Sequence, residues 1–139
     1  MMHHLNRASR YFFMPSLGLL LLRISTGFIF LEHGWMKIHN LPMVEGMMVH
    51  FGMGAWVGVF IAWLEVVGGL ALILGILTRP FAVAFGIEML VAFFLTGGFA
   101  RGLMPHDLEI VLVLNSFALA LAGSGRWALL SVFEHHRER

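Results

Sequence analysis

The sequence predicts an all-α integral membrane protein, a four-helix bundle built as a single transmembrane domain over residues 1–139. Composition is the first reason. The chain is 59% hydrophobic and 12% charged, whereas a soluble domain averages about 45–50% apolar and about 25% charged. Four apolar stretches are the second, at about residues 15–33, 55–77, 80–99 and 108–122. At about 1.5 Å per residue, a helix of such length approaches the roughly 30 Å hydrocarbon core of a bilayer. The third is punctuation. Pro15 and Pro80 stand where a helix tolerates proline in its first turn, and Gly123-Ser124-Gly125 stops the last apolar run.

A polar-to-aromatic lead carrying Arg7 and Arg10 comes first, and Pro15 opens the first span. That span could be mistaken for a signal peptide, but Arg23 interrupts it, no A-x-A site follows, and Glu32, His33 and Lys37 come next. It reads as an uncleaved helix. The loop up to residue 54 is rich in methionine, and Pro42 opens a short helix through about Phe51, lying at the membrane interface or re-entering it. Ala55–Leu77 forms the second span, and Thr78-Arg79-Pro80 a tight turn. The third span reaches about Phe99, a loop holds Arg101, Pro105, His106 and Asp107, and Asp107 reads as the cap of the fourth helix. That helix is short and borrows length at one end.

Orientation follows from the basic residues. Arg7, Arg10, Arg79, Arg126, Arg137 and Arg139 fall on one side of the four-span arrangement, and Lys37 and Arg101 on the other. The positive-inside rule then puts both the N and C termini in the cytoplasm, with the methionine-rich loop outside. The expected location is the cell (inner) membrane.

The informative residues are the charges inside the spans. Glu65 lies near the middle of an apolar run beside Gly68 and Gly69. A carboxylate there costs roughly 2.5–3.5 kcal/mol on insertion scales, so it requires a partner, water or a proton. Counting helical rise from the cytoplasmic ends assigns Arg23, Glu88 and Asn115 to one layer, roughly 10–12 Å deep. It assigns Glu65 and Glu109 to a second, roughly 18–20 Å deep, with Glu32, His33, Lys37 and His106 near the outer boundary. Arg23 is long enough to reach Glu65 instead. Small residues share faces with these groups: Gly27 and Gly34 with Arg23, then Gly58, Ala62 and Gly69 with Glu65, and Ala84 with Glu88. Such stripes mark helix–helix contact. A weak repeat echoes through the chain, since Pro15 precedes Arg23 by the same eight residues that separate Pro80 from Glu88.

These groups form either an ion network that fixes helix register or a site for a proton, a quinone headgroup or a small anion. Other chemistries find no support. The absence of cysteine removes disulfides, thiolate metal sites and a cysteine nucleophile. No Walker loop, GxGxxG or basic aromatic helix suggests nucleotide or nucleic-acid binding. Met43, Met47 and His50 share a face that could hold copper, but methionine at helical spacing more often fills an apolar interface, and no metal site is assigned.

The pattern resembles the DoxX family of small four-helix membrane proteins. The matching residues are Arg23, Gly27 and Phe30, then His33-Gly34 with Lys37. The most specific part is Glu65-Val66-Val67-Gly68-Gly69 with Leu74-Gly75-Ile76-Leu77-Thr78-Arg79, followed by His106 with Glu109 and by Gly123-Ser124-Gly125 before Arg126-Trp127. The chain departs from the family's Ser-Leu-Asp-like close, having Trp127-Ala128-Leu129-Leu130-Ser131. The resemblance to this family, which includes DoxD-like subunits, implies a membrane subunit of a redox system that handles quinone or thiol stress with a partner enzyme. The chain carries no cofactor of its own in this reading, so a quinone or a cofactor-bearing partner supplies the redox group. The alternatives are a scaffold with a structural ionic core, whose loops dock an exported or peripheral enzyme, and a transporter or proton pathway; a homo-oligomer is a separate candidate assembly. The transporter or proton pathway is disfavoured by four short spans without a broken helix.

Overall fold

The computed structural model describes residues 14–129. Arg7, Arg10, Leu130, Ser131, Arg137 and Arg139 therefore lie outside the described residues. Among the described residues there are five α-helices and no strand: α1 Pro15–His39, α2 Leu41–His50, α3 Ala55–Leu74, α4 Thr78–Leu95 and α5 Asp107–Ala122. Two 3₁₀ turns, Gly98–Arg101 and Met104–His106, connect α4 to α5. Among the described residues, four segments are long and apolar enough to span a membrane: α1, α3, α4 and Met104–Ala122. This is a multi-pass membrane protein.

The helix ends move from their expected places for local reasons. The first helix continues past residue 33 to His39, because nothing between His33 and His39 stops it; Asn40 ends it and Pro42 starts α2. The second span stops at Leu74, three residues early. Gly75 takes the left-handed conformation (φ 75°) that closes a helix, and Ile76 N–H returns to Ala71 O at 2.8 Å. The third span, α4, starts at Thr78 and ends at Leu95, before Gly97 at φ 118°. The fourth does gain length at one end, its N-terminal one, through Met104–His106. Asp107 is not its cap but its first residue, where a carboxylate favours the positive end of the helix dipole.

Two antiparallel hairpins make the bundle. The α1/α3 pair is tight because glycines let backbones meet. A Cβ on Gly27 would lie 2.7 Å from Gly69 O, and one on Gly69 2.7 Å from Leu31 N. The α4/α5 pair closes over Gly86, against which the Phe117 ring packs. The hairpins join through Phe30 and Phe85, stacked with centroids 3.8 Å apart and planes within 6°, among Leu72, Ala82, Leu112 and Leu119. By contrast, α3 and α4 touch only over a short stretch, and α2 packs on α3 beside the gap.

Residues 123–128 fold across the end of the bundle where α3 and α5 finish. Ala128 is buried against Gly75, and Gly125 approaches Leu19. Arg23, 1% exposed, donates from Nη1 to Ser124 O and from Nη2 to Trp127 O, the latter at 2.8 Å. Its place is thus a latch for this segment. Replacing Arg23 with methionine should free it: an Ala128→Cys reporter in this cysteine-free chain should label with maleimide roughly tenfold faster or more, since a charged hydrogen bond is worth about 1.5–3 kcal/mol. Unchanged labelling would show that packing alone holds the segment.

Candidate functional site

One stripe of α1 carries Arg23, Gly27, Phe30, Gly34 and Lys37 at alternating spacings of four and three residues, so all five face the bundle interior. Lys37 is at the top of this stripe. Its Nζ donates to Glu65 Oε1 of α3 at 2.7 Å and lies 3.8 Å from Glu88 Oε1 of α4. The ammonium stem comes from the loop end while both carboxylates are held deep: the Glu65 side chain is 1% exposed and the Glu88 side chain 8%. Gly34, one turn below Lys37, brings α1 so close to α3 that its missing Cβ would meet Glu65 Cβ at 2.8 Å. The glycine and the lysine therefore cooperate to fix Glu65.

The two-layer expectation is corrected here. Glu88 does not share a layer with Arg23; it shares Lys37 with Glu65. Ending α3 at Leu74 and beginning α4 at Thr78 leaves Glu65 nine and Glu88 ten residues into their helices, roughly 13.5 and 15 Å. They are level. Arg23 points the other way, to the carbonyls of the 123–128 segment, and reaches neither carboxylate.

Charge balance sets the chemistry of the cluster. One ammonium faces two carboxylates, so the trio is neutral only with one proton shared between Glu65 and Glu88. Glu65 Oε2 and Glu88 Oε2 are both buried without a protein partner, leaving each an oxygen able to carry that proton or to receive a ligand.

Two cavities meet at the cluster. The larger, about 480 Å³, lies between α3 and α4 beneath α2, and its lining is apolar (Met47, Met48, Phe60, Leu64, Ile87 and Val91 among others) except at Lys37, Glu88 and Thr96. Phe60, Ile87 and Val91 on its rim are exposed, and they sit on spanning helices, so the mouth faces lipid. The smaller, about 120 Å³, lies on the other side, among Phe30, His33, Lys37, Glu65 and Glu109. Lys37, Met89 and Ala92 line both.

The remaining candidates fall in four places. His33 and Glu109 border the smaller cavity, and His33 Nδ1 is bonded to Ile29 O at 2.8 Å. His106 is buried beside the same helix start, with Nδ1 3.3 Å from Thr96 Oγ1 and 3.9 Å from Glu109 Oε1. Asn115 lies half-buried lower on α5 and lines neither cavity, and Glu32 is exposed on the outside of α1. The sequence reading missed the lipid-facing cleft, Met89 and the Phe30–Phe85 stack. The signal for Met89 was its position next to Glu88; the stack, joining two helices distant in the chain, left none.

The DoxX family model matches residues 18–98. The chain is 31% identical over 113 residues to "Putative oxidoreductase CatD" of Bacillus subtilis (strain 168), covering 81% of this chain and 84% of that protein. It is 29% identical over 119 residues to "Inner membrane protein YqjF" of Escherichia coli (strain K12), covering 84% of this chain and 92% of that protein. No solved structure matches the chain. The family match takes in Arg23, Lys37, Glu65 and Glu88, and with the two relatives it establishes that this chain belongs to the DoxX family.

Proposed function

We propose that the protein is the membrane subunit of a redox system, with a quinone entering laterally from the bilayer and its headgroup taken up at Lys37, Glu65 and Glu88. The observation that carries this reading is the cleft between α3 and α4: about 480 Å³, apolar along its walls, with its mouth towards lipid and a charged cluster at its inner end. That volume falls within the roughly 300–1,000 Å³ typical of small-molecule sites, and few polar groups set orientation in such sites. The relative named as an oxidoreductase points to the same reaction class. We place the protein in the inner membrane, as the name of the second relative suggests, with both termini cytoplasmic and α2 at the opposite interface.

A quinone, when bound, accepts two electrons and two protons; in this reading the electrons come from a partner protein. Lys37 Nζ would donate to a quinone oxygen. Its positive charge then opposes negative charge building on that oxygen, which an apolar surrounding makes more effective. The free oxygens Glu65 Oε2 and Glu88 Oε2 would hold the protons to be transferred. On the cleft side, the apolar walls keep bulk water from the cluster.

The test is retention. Protein extracted in mild detergent and placed in nanodiscs should carry quinone, by solvent extraction and chromatography, well above nanodiscs holding an unrelated four-span protein. Glu88→Gln should lower that amount several-fold without loss of the folded species. Wild-type protein carrying no excess would overturn the redox reading and leave a scaffold with an ionic core.

A further inference from the structure

We propose that the smaller cavity is a hydrated proton path that connects Glu65 to the aqueous face at the α1–α2 loop end, with Glu109 as its entry. The inference rests on the cluster just described, and it adds the route and the side of the membrane by which that cluster exchanges protons.

Three observations support it. First, four titratable side chains, His33, Lys37, Glu65 and Glu109, line its 120 Å³ among otherwise apolar walls, against two, Lys37 and Glu88, in the fourfold larger cleft. Roughly 10–15 Å³ of such volume admits one water, so it has room for several, with the polar partners water needs. Secondly, Glu65 Oε2 is buried without a protein partner although its sister oxygen is bound to Lys37 at 2.7 Å. A buried acceptor of this kind is ordinarily satisfied by water, and the chamber is a water-sized space that Glu65 lines. Thirdly, Glu109 also lines the chamber, from the first turn of α5, and its side chain is 23% exposed where that of Glu65 is 1%.

The groups facing this path come from every helix around it. α1 contributes His33 and Lys37, α3 contributes Glu65, α4 contributes Glu88 through Lys37, and α5 contributes Glu109 with His106 at its start. His33 Nδ1 is committed to Ile29 O, so Nε2 is the nitrogen left to exchange a proton. In the path, a proton from bulk water binds Glu109, passes through chamber water, and displaces the Lys37 hydrogen bond or occupies Oε2 on Glu65. Return is the reverse. On the opposite side of Glu65 the stacked Phe30–Phe85 rings and Leu72 fill the core, and Arg23 beyond them puts a fixed positive charge between the cluster and the other face. Exchange is therefore one-sided.

The test reads the Glu65 carboxyl directly and needs no quinone. Protein is reconstituted in liposomes with known orientation, and a pH step is applied to one face while infrared difference spectra are recorded; Glu65→Gln identifies the band. The expected result is a carboxyl response to pH steps at the loop face only. Glu109→Leu should slow it by roughly 10²-fold, the low end of what a positioned proton-transfer group contributes. Glu109→Gln, which keeps the volume, separates loss of the relay from loss of the fold and should slow it similarly. A response of equal speed from both faces, or one unaltered in Glu109→Gln, overturns the path. Quinone retention measured on the same samples separates the two ideas: retention with no Glu109 effect removes the path alone, and a one-sided Glu109-dependent response without retention removes the quinone alone.

Discussion

Replacing Lys37 with methionine should cost about 3–5 kcal/mol of stability, the usual consequence of removing one partner from a buried pair. The expected cost is at the upper end of that range because Lys37 faces two carboxylates, not one. Its Nζ is bonded to Glu65 at 2.7 Å and lies 3.8 Å from Glu88, so methionine strands both. The measurement is unfolding in mixed micelles by titration with a denaturing detergent, followed by tryptophan fluorescence. The triple variant Lys37→Met, Glu65→Gln, Glu88→Gln should recover most of the loss, because a network of neutral groups no longer needs a counter-ion. Quinone retention should not recover with it. Recovery of stability with retention still absent separates the architectural from the binding contribution; a single variant as stable as wild type would mean that the carboxylates are open to bulk water, contrary to their 1% and 8% exposure.

How far the sequence announced this arrangement can be seen residue by residue. Fold class was plain, because four apolar runs with proline and glycine punctuation leave few alternatives in a bilayer, where every backbone polar group must be bonded within the chain. The glycines beside Glu65 and the stripe through Gly27 and Gly34 also announced the α1/α3 contact, since small residues at that spacing serve close approach. The partner of Glu88 was not legible. Depth counting multiplies an error of three residues at the end of α3 into roughly 4.5 Å, enough to move Glu65 out of the level of Glu88. Gly75 was the residue that decided it, and a glycine followed by Ile76 and Leu77 looks locally like continued apolar helix. Arg23 was misdirected for a related reason: its partners are backbone carbonyls of Ser124 and Trp127, which no pattern of side-chain charges can reveal.

The same geometry makes opposite demands on two glycines of one helix. Gly34→Ala should destabilise by about 1–3 kcal/mol, the range for forcing added volume into a packed interior. Its Cβ would stand 2.7 Å from Val66 N, 2.8 Å from Ala62 O and 2.8 Å from Glu65 Cβ, and two of those three are backbone atoms that cannot turn aside. The helices must part, and Gly34→Leu must part them further, with a loss beyond the alanine value. Gly18→Ala on the same helix meets nothing within 4 Å. There the change removes only the flexibility of glycine, and a gain of about 0.5–1 kcal/mol is expected. Both are read in the same micelle titration. The Gly34 variants should also lengthen or break the Lys37–Glu65 bond, because Lys37 reaches Glu65 only while α1 lies against α3. Quinone retention should thus fall in Gly34→Ala and hold in Gly18→Ala. If Gly34→Ala loses stability but keeps its quinone, the headgroup depends on Glu88 and the cleft wall alone, and Glu65 belongs to the bundle's architecture. If both fall together, close packing of α1 on α3 is what sets the site.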